Sequence, residues 1–412
     1  MTATSDQPLS LAVLHDPAVL ADPYPFYDRL RAEDPVHWEE LEAGFTRWAL
    51  TRYDDIAMVL RDPRLSARRH WDVDWLPEES RAAAYDVQQA YQRQVLFVDA
   101  PDHTRLRRLM MAAFTPRVVA GMRPLIQQLV DQMLDAVAPA GGMDVIADLA
   151  YPLPTSVIAA MLGVPPGDRP RFQVWATDMG TTFDGDPARP ERAGRAYEGV
   201  ASLLEYMADL VRQRRRSPRD DLTQALIAAS DAGEVLSAEE VVANAALLLV
   251  AGHETTTNLI GNGLLALLRH PDQMERLRAQ PDLIESGVEE LLRYDSPVQM
   301  TARVAKEDLE IDGRHIAAGQ LVVVFLGAAN RDPAQFSQPN RLDVSRTENR
   351  HLSFAYGPHF CLGAALARLE GQIAFSTLLR RWPRLELATE TVRWRDNATL
   401  RGLVSLPVSF GR

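Results

Sequence analysis

The chain has 412 residues, 46% of them hydrophobic, and a formal net charge of −12 from 56 acidic and 44 basic residues. That is ample material for a large core, and the acidic excess argues against a nucleic-acid binder, whose footprint is basic. A lone cysteine rules out an internal disulfide and points to a reducing compartment.

Helical periodicity dominates, and it predicts helices over 25–33, 53–61, 101–113, 117–136, 152–161, 193–214, 237–268, 271–279 and 283–294. Strand signals are fewer. Segments 36–39 and 47–50 flank a turn. Segments 309–312 and 314–316 flank Asp312-Gly313, a hairpin signal. A short apolar run covers 321–325, and a last β piece covers 403–409. The fold class is mainly α with a minor β region. Ala138-Pro139-Ala140-Gly141-Gly142 and Pro165-Pro166-Gly167 punctuate helices without making a linker. No repeat divides the chain, so residues 1–412 read as a single domain. The stretch Met1 to Ser10 lacks a basic-then-apolar leader pattern, and no apolar run reaches the ~20 residues of a membrane span. The expected location is the cytoplasm, with no membrane partner.

Along the chain, several groups of residues carry chemistry. His103 and Arg107 are four apart on one helix face, so two cations project together. The run Arg212, Arg214, Arg215 and Arg216 reads as a solvated helix C-terminus, where cations suit the dipole. The longest helix opens on a capping box, Ser237-Ala238-Glu239-Glu240, and ends at His270-Pro271. It spans roughly 50 Å at ~1.5 Å per residue, and its all-round apolar middle sends it through the core. Ala251-Gly252-His253-Glu254-Thr255-Thr256 breaks that apolar pattern with a glycine, a carboxylate and hydroxyls. Local conflict of this kind marks functional sites. Glu290 and Arg293 are three apart on one helix face, a pairing common on surfaces. Finally, Cys361 lies in Phe354-Ala355-Tyr356-Gly357-Pro358-His359-Phe360-Cys361-Leu362-Gly363, just before an amphipathic helix with a stripe of Leu362, Leu366, Leu369 and Ile373. A thiol at a helix start is biased toward thiolate. Gly357 and Gly363 remove bulk on either side, so a large flat group could lie against the loop.

The segment from Phe354 to Gly363 matches F-x-x-G-x-x-x-C-x-G and resembles the haem-binding signature of the cytochrome P-450 superfamily. Ala251 to Thr255 resembles that family's A-G-x-[DE]-T motif, and Glu290 to Arg293 its E-x-x-R motif. The resemblance runs from Tyr24 to the C-terminus, with mild departures at Ala100 and Ala355, where many members have proline and glycine. It implies the P-450 fold around a long central helix, and haem b with Cys361 as axial thiolate. It implies Phe354, Gly357 and Gly363 in the haem loop, and propionates held by His103, Arg107, Arg303 and His359. Ala251 and Gly252 would give ring and oxygen room, while Thr255 orients the oxygen ligand and Glu254 feeds a proton relay. Glu290 and Arg293, with Arg341 as third member, would lock the core behind the loop. The implied activity is a monooxygenase inserting one atom of O2 into a C–H or C=C bond. Its electrons would come from a separate ferredoxin and NAD(P)H-dependent ferredoxin reductase, docked near Arg105, Arg108 and Arg368. A peroxide-driven haem-thiolate enzyme and a non-catalytic haem sensor or carrier are the alternatives. Position suggests a substrate pocket of Phe97, Thr181, Thr182, Leu247, Val298, Met300 and Val404. Such walls suit natural-product, steroid or terpenoid skeletons.

Overall fold

A computed structural model describes residues 9–40, 46–69, 73–184, 189–231 and 236–411. The central helix, Ala238–Arg269, organises them. Its capping box forms: Ser237 N donates to Glu240 Oε2 at 2.8 Å, and Glu240 N donates to Ser237 Oγ at 3.1 Å. Leu247, Leu249, Leu259 and Leu264 are all buried along it. Helices Pro152–Leu162, Pro190–Arg216 and Ala364–Arg381 pack against its sides. Their apolar faces build two large cores, one centred on Leu259, Leu291 and Phe375, the other on Val87, Met179 and Val200.

The largest sheet of the minor β region has five strands, in the order Val36–Glu40, Thr46–Leu50, Leu321–Phe325, Met300–Ala305 and Leu65–Ser66. Only the second and third strands run parallel. Thr301 lies opposite Val324 and Arg303 opposite Val322. Two residues apart on one strand, Thr301 and Arg303 share a face. The hairpin Leu309–Ile311 with Arg314–Ile316 forms as expected, with positive φ at Asp312 and Gly313. The turn expected after 36–39 lies outside the described residues.

Three expectations are corrected. The helix predicted over 117–136 is two helices, Pro116–Gly121 and Arg123–Val137. Pro124 sits at the start of the second, where its missing N–H is harmless but a continuing helix is not possible. The β piece predicted over 403–409 shrinks to Pro407–Ser409, paired with Gly142–Asp144 and Glu386–Leu387. The basic run is only partly solvated. Arg214 is buried, pairs with Asp221 at 2.7 Å and donates to the Gly163 carbonyl at 2.9 Å.

Candidate functional site

A cavity of about 620 Å3 opens between the central helix, the cysteine loop, the helix Asp102–Met111 and the strand Met300–Ala305. On the central-helix wall, Ala251 is exposed although Val250 and His253 beside it are buried, and it lines the cavity. Thr255 lies one turn further along the same wall, and its Oγ1 donates to the Ala251 carbonyl at 2.8 Å. Gly252 also lines the cavity, but its nearest neighbour is Ile158; an added Cβ would touch it at an ordinary 3.5 Å. Buried Glu254 receives Nη1 of Arg395 on Oε1 at 2.7 Å. Gly180 makes room for that carboxylate, because a Cβ there would stand 2.6 Å from Glu254 Oε2. His253 packs its ring edge-on against Tyr151, centroids 4.2 Å apart. Burial, then Arg395, pushes its pKa down to about 3, so it stays neutral.

The cysteine loop supplies a second wall. Cys361 N donates to the Phe354 carbonyl at 2.9 Å, which closes the loop. The thiol is exposed and lines the cavity. Enclosure by protein raises its pKa; N–H groups of Gly363 and Ala364 and the charges of Arg107 and Arg368 oppose that rise. Gly363 lines the cavity with open space where a Cβ would be. Gly357 does not line it. Its φ of +74° and the Leu60 carbonyl, 2.8 Å from a notional Cβ, show that this glycine serves a tight turn against the preceding layer. Ala355 holds φ +58°, a left-handed conformation that costs a non-glycine residue about 1 kcal/mol.

At one edge of the cavity, arginines and imidazoles gather, with Asp99 the acid that bears on His103 and Arg303. His103, Arg107, Arg303 and His359 all line it, joined by Arg69. The two imidazoles lie 4.1 Å apart. Burial, then Arg303, His103 and Arg107, drives His359 down to about 3, and burial with Arg107 lowers His103 as well. Burial lowers Arg303 to about 10 and Arg69 to about 9, so both remain charged at neutral pH. Nε2 of His103 is buried without a partner, and Arg303 Nη1 reaches only the Ala302 carbonyl at 2.8 Å. The nearby Asp99 is committed elsewhere, accepting from Ser66 Oγ and from Ala67 N at 2.9 Å.

Haem b requires space for a flat ring, a soft axial donor and cations for two carboxylates. This cavity offers the volume, the Cys361 thiol and the arginines at its edge, so the residues fit the group. The comparison with known families decides the matter: residues 77–410 match the family described as Cytochrome P450. This chain belongs to the cytochrome P450 family. Its cofactor is haem b, and its class is that of the P450 monooxygenases. The P450 is 42% identical to the polyketide biosynthesis cytochrome P450 PksS of Bacillus subtilis (strain 168), over 95% of this chain and 96% of that one. It is 43% identical to the vitamin D(3) 25-hydroxylase of Pseudonocardia autotrophica, over 95% and 94% of the two chains. Among solved structures it resembles P450BioI in complex with an acyl carrier protein ligated to hexadec-9Z-enoic acid. That match has a TM-score of 0.88 and 42% identity, and covers 96% of this chain and 99% of that one.

The P450 brings most of the expected pocket together: Phe97, Thr182, Leu247, Val298 and Met300 line the cavity. Two expected residues do not. Thr181 turns to the outer side of the helix Arg169–Asp184, where its Oγ1 donates to the Thr177 carbonyl at 2.9 Å. Val404 is 43% exposed on the surface, because the chain stays irregular there instead of forming the expected strand. The helix pair behind the loop also departs from expectation. Glu290 and Arg293 are fully buried and joined at 2.7 and 2.9 Å, but the third member is Arg346, 3.1 Å from Glu290 Oε2. Arg341 contributes only its carbonyl to Arg293, while its side chain turns back to Gln338 Oε1 at 3.2 Å. The backbone reverses at Gln338, φ +48°, and this aims Arg341 outward. The expected basic docking patch is largely neutralised: Arg105 pairs with Glu240, and Arg368 pairs with Glu289 at 2.7 Å through two nitrogens.

Three residues were not singled out from sequence. Arg69 and Arg395 sit in irregular segments with no local pattern around them. Glu370 had a signal, since it falls four residues after Leu366, on the buried stripe of the helix that follows Cys361. It lines the cavity, its Oε2 has no partner, and burial drives its pKa well above the carboxylate range.

Proposed function

We propose that this P450 inserts one oxygen atom of O2 into a C–H or C=C bond of a small hydrophobic substrate. The natural-product, steroid or terpenoid class fits best. The observation that carries the reading is the sharing of one cavity by Cys361 and the Ala251–Thr255 turn. The apolar walls support the substrate class, and so do relatives named for polyketide biosynthesis and vitamin D(3) hydroxylation. Residues 1–412 act as one haem-thiolate unit. The single cysteine supports a cytoplasmic setting, and a ferredoxin with its NAD(P)H-dependent reductase supplies the electrons.

Haem b, bound at Cys361, supplies O2 binding and cleavage of the O–O bond. The rest of the chemistry belongs to the protein. His103, Arg107, Arg303 and His359 hold the propionates by charge and N–H donation. Thr255, whose hydroxyl hydrogen points back to Ala251, keeps its oxygen lone pairs for a proton-bearing water. Glu254 holds and releases protons one residue away, its carboxylate fixed by a partly exposed Arg395. Glu290, Arg293 and Arg346 fix the chain behind the loop.

Replacing Thr255 by alanine tests the relay. The expected result is normal haem content with several-fold more peroxide released per reductant consumed and less product. Unchanged coupling would contradict the role.

A further inference from the structure

We propose that Arg69 binds the carboxylate of a substrate, so that this P450 selects apolar molecules carrying an acid group. Arg69 follows the edge strand Leu65–Ser66 and runs back along the strand Met300–Ala305, where its Nη2 donates to Thr301 Oγ1 at 3.0 Å. Its guanidinium carbon stands 5.3 Å from the centre of the Phe97 ring, and the side chain lines the cavity. A guanidinium has five N–H donors. Here the Thr301 hydroxyl takes one, and Nε is buried without a partner. The charged neighbour that bears on it is Arg303, which repels it.

A half-buried cation with an unpartnered donor and a like charge beside it carries a desolvation cost. An entering carboxylate would relieve it through a two-pronged bond of the strongest geometry. Two carboxylates come into question, a haem propionate and an acid on the substrate. His103, Arg107, Arg303 and His359 already offer four groups to two propionates. Thr301 shares its strand face with Arg303, so Arg69 stands beside the propionate group, but its guanidinium also lies against Phe97, a wall residue of the expected substrate pocket. That position assigns it to the substrate. An acid seated at Arg69 would leave its apolar body to the Leu247 and Val298 side of the cavity.

The inference rests on the haem-site reading above, and its test separates the two. Ferric holoenzyme is titrated with dodecanoic acid, methyl dodecanoate and dodecanol, and binding is read from the ligand-induced absorption shift. Wild type is expected to bind the acid at least tenfold more tightly than the ester or alcohol. Arg69→Gln should bring that ratio close to one, and Arg69→Lys should restore part of it, with haem content and the carbon monoxide spectrum of both variants unchanged. A ratio near one in the wild type, or a preference that survives Arg69→Gln, overturns the proposal. So does loss of haem from Arg69→Gln with the acid preference intact, which would assign Arg69 to a propionate. Absence of haem absorption from the wild type would instead sink the haem-site reading itself.

Discussion

Glu254 is a carboxylate in the middle of an apolar helix, and Arg395 makes that position tenable. The two meet at 2.7 Å with side-chain exposures of 5% and 22%. Removing one partner of such a pair strands the other, so the guanidinium's loss costs more than loss of the pair together. Arg395→Gln is expected to lower stability by about 2 kcal/mol, given the partial exposure of the arginine. Adding Glu254→Gln should recover part of that loss. A double-mutant cycle read by urea unfolding is expected to give a coupling of about 1–2 kcal/mol; additive single effects would contradict the pairing. The same residues show what a sequence discloses at this scale. Glu254 stood out because a charge interrupts an apolar run. Arg395 did not, because its segment carries no periodicity and is placed only by a bridge between Trp394 and Leu403.

The helix Ile284–Tyr294 works as a bracket, with consecutive carboxylates facing different partners. Glu290 holds Arg293, Arg346 and Asn349, and thereby the irregular segment before the cysteine loop. Glu289 holds His351, which precedes the loop, at 3.2 Å, and Arg368, which follows it, at 2.7 Å. Burial alone would raise the Glu289 pKa, but bonds from His351 and Arg368 outweigh it and hold it at about 2, below its ordinary 4.5. A pKa lowered by folding gives stability that is present above the unfolded value and fades as pH falls through the folded one. Glu289→Gln is therefore expected to cost on the order of 2 kcal/mol near neutral pH, discounted for its exposure. The gap to wild type should narrow below about pH 4.5, as urea unfolding at a series of pH values would show. A gap that holds constant down to about pH 3.5 would contradict this account. The bracket was half legible: the spacing of Glu290 and Arg293 named two members. Arg346 was hidden because a reversal at Gln338, not a helical period, brings it into reach.

At the scale of the molecule, the long helices were read from their apolar spacing, and the central helix from its capping box and length. The helix Glu78–Tyr91 was missed because its buried face includes Ser80, Ala84 and Gln88, which leave little hydrophobic contrast. The strand Met300–Ala305 was missed although Met300, Ala302 and Val304 alternate with Thr301 and Arg303, because a buried arginine in mid-strand masks a short alternation. The strand lies at the site, where function overrides pattern. The order of the site was legible in three motifs, and His103, Arg107, Arg303 and His359 at its polar edge were expected from the family resemblance, while Arg69 needed the fold to bring it beside them. Haem binding in that cavity depends on the sulfur of Cys361 as its donor. The most direct measurement is the carbon monoxide difference spectrum of the reduced holoenzyme, wild type beside Cys361→Ser. The wild type should show the absorption band of a thiolate-ligated haem and the variant should lose it, with folded structure retained by circular dichroism. A variant that keeps the thiolate-type band, or a wild type that never shows one, would contradict the assignment.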